Sequence, residues 1–252
     1  MRDRSRPTRH TRRRLTAIAI ALAGVTLALV GLRHLARSRT VQLFGTLVSR
    51  VDTRDSVVAL TFDDGPVAAL GDSIVGLLAT RGARATFFVT GRELQAAPKV
   101  GRALVAAGHE LGNHTWSHER MVLRSPAFVR REVERTDAII RATGHAGPIR
   151  FRAPYGFKLV ALPYFLWRTG RTSITWDIEP DSHADVAASA HGIVAHVLAR
   201  VRPGSIILLH PWYRSRATSL AAVPALVDSL HARGYRVVTV GELLAHGDRA
   251  RR

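Results

Sequence analysis

From residue 57 onward the chain alternates short apolar runs with longer stretches in which apolar residues recur every three or four positions. The runs at 57–62 (VVALTF), 85–89 (ATFFV), 109–112, 149–152, 173–178, 205–209 (SIILL) and 235–240 read as buried strands. Between them lie helical patterns. The first, 68–80, repeats through Leu70, Ile74, Leu77 and Leu78 and stops at Gly82. Others cover 93–107, 126–143, 186–201 and 219–233, ended by Gly108, Gly144, Pro203-Gly204 and Gly234, with a helical turn at 159–167. Strands that are apolar throughout and alternate with helices predict parallel pairing, with helices covering both faces. About seven such units over 55–247 predict an α/β fold, a distorted and incomplete (β/α) barrel.

The region ahead of the barrel has a different pattern. Residues 15–32 read LTAIAIALAGVTLALVGL, an uncharged stretch long enough to cross a bilayer as a helix. Arg2, Arg4, Arg6, Arg9, Arg12, Arg13 and Arg14 precede it. The positive-inside rule therefore keeps 1–14 cytoplasmic as a basic tail, makes 15–32 a signal anchor and sends the rest across. A cleaved signal peptide and a twin-arginine export signal are alternatives, and each also exports the domain. The expected location is thus a single-pass cell-membrane protein with an extracytoplasmic domain, or an exported one after cleavage. Residues 33–54 read as a polar linker and 248–252 as a short basic tail.

This placement changes the meaning of the charge. The chain of 252 residues carries a formal net charge of +18, which by itself suggests a nucleic-acid partner. Much of the excess lies in the N-terminal tail, not on a face of the domain, so no nucleic acid is expected, and no feature marks an obligate protein partner. The chain has no cysteine, so there is no disulfide framework and no thiolate metal site. A metal would have to be held by histidine and carboxylate.

Candidate chemistry falls at the C-terminal ends of the predicted strands. Asp63 and Asp64 follow the first, His114 and His118 the third, residues 152–156 the fourth; Trp176 and Asp177 close the fifth and His210 the sixth. In a parallel barrel these ends share one face, where such enzymes keep their active sites. Asp64, His114 and His118 supply one carboxylate and two imidazoles, the ligand set of a catalytic zinc site with a position left open. The spacing of His114 and His118 puts both rings on one side of a helical turn. Asp63 and Asp64 can divide the labour, one on the ion and one beside its water, although Asp-Asp-Gly-Pro also suits a helix N-cap. Metal-assisted hydrolysis needs a base for the water and an acid for the departing nitrogen, and His210 is a candidate for such work.

At these residues the sequence resembles the polysaccharide deacetylases, the NodB-homology group also called carbohydrate esterase family 4. The likeness rests on TFDDGP at 61–66, HTWSH at 114–118, RAPYG at 152–156 and LLH at 208–210, within 57–244. It implies a metal, usually zinc, held by Asp64, His114 and His118, with Asp63 as general base and Arg152 paired to it. It implies that the Tyr155 N–H stabilises an oxyanion, that Pro154 and Gly156 shape the turn, that His210 is the general acid and that Leu208 lines the acetyl pocket. The substrate implied is an acetylated polysaccharide containing N-acetylglucosamine. One motif departs. The family's fourth motif commonly ends in Asp-Trp, whereas here the region reads TWDIEPDSH at 175–183, with His183 near the expected Trp. Asp177 or Asp181 could orient His210, with Asp181 slightly favoured, and Trp176 is a candidate for substrate contact. An O-acetyl esterase, a small-amide deacetylase and a non-catalytic sugar-binding module are the rival readings.

Overall fold

The computed structural model describes residues 9–250, so the first eight residues of the expected basic tail and the last two of the C-terminal tail lie outside the described residues. The chain opens with a long helix, α1 (Arg9–Arg37), which carries an apolar span at Ala17–Arg37 long enough to cross a membrane. Most of that span is exposed, and it is buried against the domain only at its end, at Ala36.

The barrel is built on β2 (Val57–Asp63), whose seven residues are all buried. Successive side chains along a strand point to opposite faces. Val58, Leu60 and Phe62 pack outward under the helices, while Val57 and Ala59 join Phe88, Ile206 and Leu208 inside the barrel. Thr61 and Asp63 share the inner face of β2. That face is therefore apolar at its base and polar at its mouth.

Around β2 stand β3 (Thr86–Val89), β4 (Glu110–Asn113), β6 (Ile206–Leu209) and β7 (Arg236–Val238), in the order β4-β3-β2-β6 with β7 pairing the start of β2, and every pairing is parallel. A separate two-strand pairing joins β1 (Leu47–Val48) to β5 (Ser173–Ile174). Single parallel bridges close the ring, Asn113 to Phe151, Phe151 to Ser173 and Ile178 to Ile207. The result is a distorted α/β barrel of parallel strands.

Several local expectations need correction. The run at 149–152 is not a strand but a single bridging residue, Phe151, and the run at 173–178 pairs only at Ser173, Ile174 and Ile178. The buried guanidinium of Arg152 gives the physical reason, because it donates to the carbonyls of Ile174 (3.3 Å) and Thr175 (3.0 Å), taking up acceptors a neighbouring strand would otherwise use. The helix expected over 93–107 is two, α3 (Gly91–Ala96) and α4 (Pro98–Ala106). Pro98 forces Ala97 out of the helical region, to φ −125° and ψ 53°. The segment expected as a linker is integral to the domain: α1 runs on to Arg37, and β1 lies within it. At the other end the structure adds a helix, α9 (Val240–Ala250), with no counterpart in the sequence reading.

The remaining helices are α2 (Gly71–Ala79), α5 (Pro126–Arg141), α6 (Ala161–Arg168), α7 (Ala190–Leu198) and α8 (Ala217–Ala232).

Candidate metal centre

Asp63 ends β2 facing the barrel interior and is 2% exposed. Arg152, fully buried, donates to its Oδ1 at 2.5 Å and to Thr61 Oγ1 at 2.9 Å. The guanidinium also lies 4.0 Å from the centre of the Phe88 ring. A buried carboxylate is tolerable only with such a partner, and here the partner's other donors are also satisfied. Asp64, one residue on, adopts φ +71°, a left-handed conformation that turns the chain sharply after the strand. Gly65 continues the turn at φ +58°, and a Cβ there would meet the Trp212 ring at 2.6 Å, so only glycine fits. Neither aspartate caps a helix. The next helical residues start at Ala68, and the residue before them, Val67, makes no side-chain cap bond.

His114 follows β4 on its inner face. Its Nδ1 lies 2.8 Å from the Arg152 carbonyl, which accepts a hydrogen bond from Nδ1–H and leaves Nε2 as the lone-pair atom. Burial pushes its pKa down to about 3, so the ring is neutral, the form that can ligate a metal. His114 Nε2 lies 3.8 Å from Asp64 Oδ1, and His118 Nε2 lies 3.2 Å from the same oxygen. Burial raises the Asp64 pKa, and the nearby Asp63 charge adds to this against the pull of His118.

The two histidines do not sit on a helical turn, as their spacing suggested. Residues 114–120 are irregular, with Thr115 at φ +68° and His118 at φ +59°. Side chains supply the acceptors that a helix would supply by backbone. Asn113 Oδ1 accepts from the Thr115 N–H (2.8 Å), and Thr115 Oγ1 accepts from the His118 N–H (3.1 Å). Glu132, from α5, accepts from the N–H groups of Trp116 (3.0 Å) and Ser117 (2.8 Å) and from the Ser117 hydroxyl (2.9 Å). Glu132 escaped the sequence reading. The available signal was Glu132 itself, a carboxylate at an inward position of α5 beside Val129, Val133 and Thr136.

The ligand atoms of Asp64, His114 and His118 all lie within 4.8 Å of one another. Two nitrogens and one carboxylate oxygen, with one imidazole already held in the correct tautomer by a carbonyl, fit a divalent cation of the zinc class.

His210 follows β6 on the same strand face as Leu208. Asp181, not Asp177, stands against it. Asp181 Oδ1 lies 3.1 Å from His210 Nδ1, and Oδ2 accepts from the His210 N–H (2.7 Å) and from the Ser219 hydroxyl (2.8 Å). Asp177 instead accepts from the Ser205 hydroxyl and the Ile206 N–H. Burial opposes protonation of His210, but the hydrogen bond and charge of Asp181, with Asp63 and Asp64 beyond, outweigh it and raise the pKa to about 9. The same bonds draw the Asp181 pKa down against its burial. This ring is a cation at neutral pH.

Two adjoining cavities, about 420 and 460 Å³, open over these groups and share Asp64, His118, Tyr155, His210 and Arg216. Tyr155 sits in the turn of Pro154–Gly156 at φ +57°, half exposed, with its ring 4.7 Å from that of His118. Pro154, just before it, is buried. Trp176 lines the larger cavity and donates through Nε1 to Glu179 (2.8 Å). His183 lines that cavity too, stacked on His196. Leu208 is fully buried in the barrel interior and belongs to the lining of neither cavity.

Residues 50–172 match the family model described as Polysaccharide deacetylase. A peptidoglycan-N-acetylglucosamine deacetylase of Bacillus cereus is 29% identical over 80% of this chain and 94% of its own. A chitooligosaccharide deacetylase of Sinorhizobium fredii is 35% identical over 75% of this chain and 92% of its own. Among solved structures, the peptidoglycan deacetylase PdaC from Bacillus subtilis superposes with a TM-score of 0.70 at 31% identity, covering 80% of this chain and 96% of that one.

Proposed function

The chain belongs to the polysaccharide deacetylase family, carbohydrate esterase family 4, and from that premise we propose that it hydrolyses the N-acetyl groups of a polysaccharide containing N-acetylglucosamine, releasing acetate. One observation carries the reading: Asp64, His114 and His118 converge at the barrel mouth, with the Arg152-paired Asp63 and the Asp181-paired His210 at the same cavity.

In this reading Asp64, His114 and His118 hold the cation, and their nitrogen-rich donor set suits Zn²⁺. Once bound, such an ion polarises an amide carbonyl and makes water a better nucleophile at neutral pH. Asp63, paired with Arg152, takes a proton from the attacking water. The backbone N–H of Tyr155 donates to the oxyanion that develops on the substrate, in a turn shaped by Pro154 and Gly156. His210, protonated under the influence of Asp181, gives its proton to the departing nitrogen, and the amine leaves neutral. Trp176, in the wall of the larger cavity, contacts the substrate. The helix α1 holds the domain on the outer side of the cell membrane.

The test is acetate release from a panel of N-acetylated glucosamine oligomers, peptidoglycan and an O-acetylated glycan. Release from the N-acetylated members supports the reading. Release from the O-acetylated glycan alone would assign the site to ester hydrolysis instead.

A further inference from the structure

The wall of the larger cavity includes the end of the membrane helix. Arg37, the last residue of α1, and Arg39, just beyond it, line this cavity together with Asp63, Asp64, His114 and His210. The junction is fixed, not loose. Ala36 is 3% exposed, and its carbonyl accepts from the Lys158 N–H at 2.9 Å. The Lys158 ammonium bonds the Ser38 carbonyl, and the Thr175 hydroxyl donates to the Arg39 carbonyl at 2.6 Å. Arg39 pairs with Glu179 at 2.9 Å and lies over the Trp176 ring, and Arg37 lies over Phe157, in the chain just after the Tyr155 turn.

The uncharged stretch 15–32 of α1, at about 1.5 Å per residue, nearly matches a hydrocarbon core of roughly 30 Å, and Arg33 and His34 follow it. Arg37, about one and a half helical turns beyond, therefore lies at the level of the lipid headgroups, and the cavity it lines opens at that level. Among the described residues Arg37 and Arg216, both in this wall, have no acidic side chain within ion-pair distance. A planar guanidinium left unpaired beside a membrane surface is suited to a phosphate.

Building on the deacetylase reading above, we infer that the substrate is an acetylated sugar carried on a lipid through a phosphate, presented from the bilayer with its phosphate against Arg37 and its acetamido group at Asp64, His114 and His118. The anchor then does two things: it holds the cleft at the surface where such a substrate resides, and it supplies part of the binding wall. A sugar polymer free in solution gains from neither.

The test uses the full-length chain, zinc-loaded, in phosphatidylcholine vesicles, so that the substrate is the only net anionic lipid. Initial rates of acetate release are compared for three substrates: N-acetylglucosamine phosphate on a polyprenyl lipid in the same vesicle, soluble N-acetylglucosamine 1-phosphate, and a soluble neutral N-acetylglucosamine oligomer. The expected order of kcat/KM places the lipid-borne phosphate first, above the neutral oligomer by about tenfold or more, the size of one charge-assisted contact plus surface confinement. The Arg37→Ala variant should lower the ratio of lipid-borne to neutral substrate, and Arg37→Lys should keep most of it. If the soluble sugar phosphate matched the lipid-borne one, the anion contact would hold and the bilayer part would fall. A ratio near one in the wild-type chain, or a ratio unmoved by Arg37→Ala, overturns the inference while leaving the deacetylase reading intact. Acetate from none of the three, with peptidoglycan and oligomers also inert, overturns both.

Discussion

Two carboxylates adjacent in sequence stand in different electrostatic worlds because of one backbone torsion. Asp63 keeps its strand geometry and meets Arg152 inside the barrel, while Asp64, at φ +71°, turns toward the histidines. The division predicts separable losses. Asp63→Asn keeps the shape and one partner for Arg152 but cannot take a proton. Acetate release should fall by about 100-fold or more, the scale of general-base catalysis. Zinc affinity, read by calorimetric titration, should change little, and a variant that retained full turnover would remove Asp63 from the mechanism. His210 gives a pH prediction with a definite sign. Its pKa is raised to about 9 from 6.5, so the ring is charged below that value and loses its proton as pH rises through it. The alkaline limb of kcat/KM reports this loss. Asp181→Asn removes the main group that sustains the charge, and the limb should move toward lower pH. An unmoved limb would mean that another group titrates there.

At the scale of elements, the barrel strands put the site together, but a helix holds its most irregular part in place. The HTWSH turn has no regular backbone bonding of its own, and α5 supplies Glu132 to accept three of its donors. Glu132→Ala should therefore weaken zinc binding by about 10- to 100-fold, as losses of supporting hydrogen bonds around metal ligands do. A change in the same helix away from the turn gives the contrast. Ser125 caps α5 by accepting from the Phe128 N–H, so Ser125→Ala should cost about 1 kcal/mol in denaturant unfolding and leave zinc affinity alone. Equal zinc affinities in wild type and Glu132→Ala would show that the turn holds itself.

These elements also explain what the sequence made legible. The apolar runs of β2, β3 and β6 are buried on both faces, so they stand out without any alternation to interpret. The polar residues at their ends, Asp63, Asp64 and His210, fall on one face for the same reason. The region around Phe151 and Ser173 misled because Arg152 takes the place of strand pairing, a substitution that no local pattern displays. The histidine spacing pointed to two rings that do come together beside Asp64, but not on a helix, since tertiary acceptors imposed a different path on the turn. The contribution of 33–54 was hidden because Arg37, Arg39 and β1 have meaning only against partners more than a hundred residues away.

At the scale of the whole molecule, the inner face of the barrel grades from the apolar layer of Val57, Ala59, Ile206 and Leu208 to the polar mouth of Asp63, His114 and Arg152. The apolar base fixes the positions of the strand ends, and the strand ends fix the ligands. Because the cation would tie Asp64, after β2, to the turn that follows β4, binding should stabilise the fold as a whole. A chelated sample should melt at lower temperature than the zinc form. The central claim is that one cation at Asp64, His114 and His118 is required for hydrolysis. Its most direct test is a titration of Zn²⁺ into metal-stripped protein, following acetate release from an N-acetylglucosamine oligomer. Activity should start near zero and rise linearly to a break at one equivalent, and it should stay near zero throughout in His114→Ala. Full activity in the stripped protein, or a normal rise in His114→Ala, would contradict it.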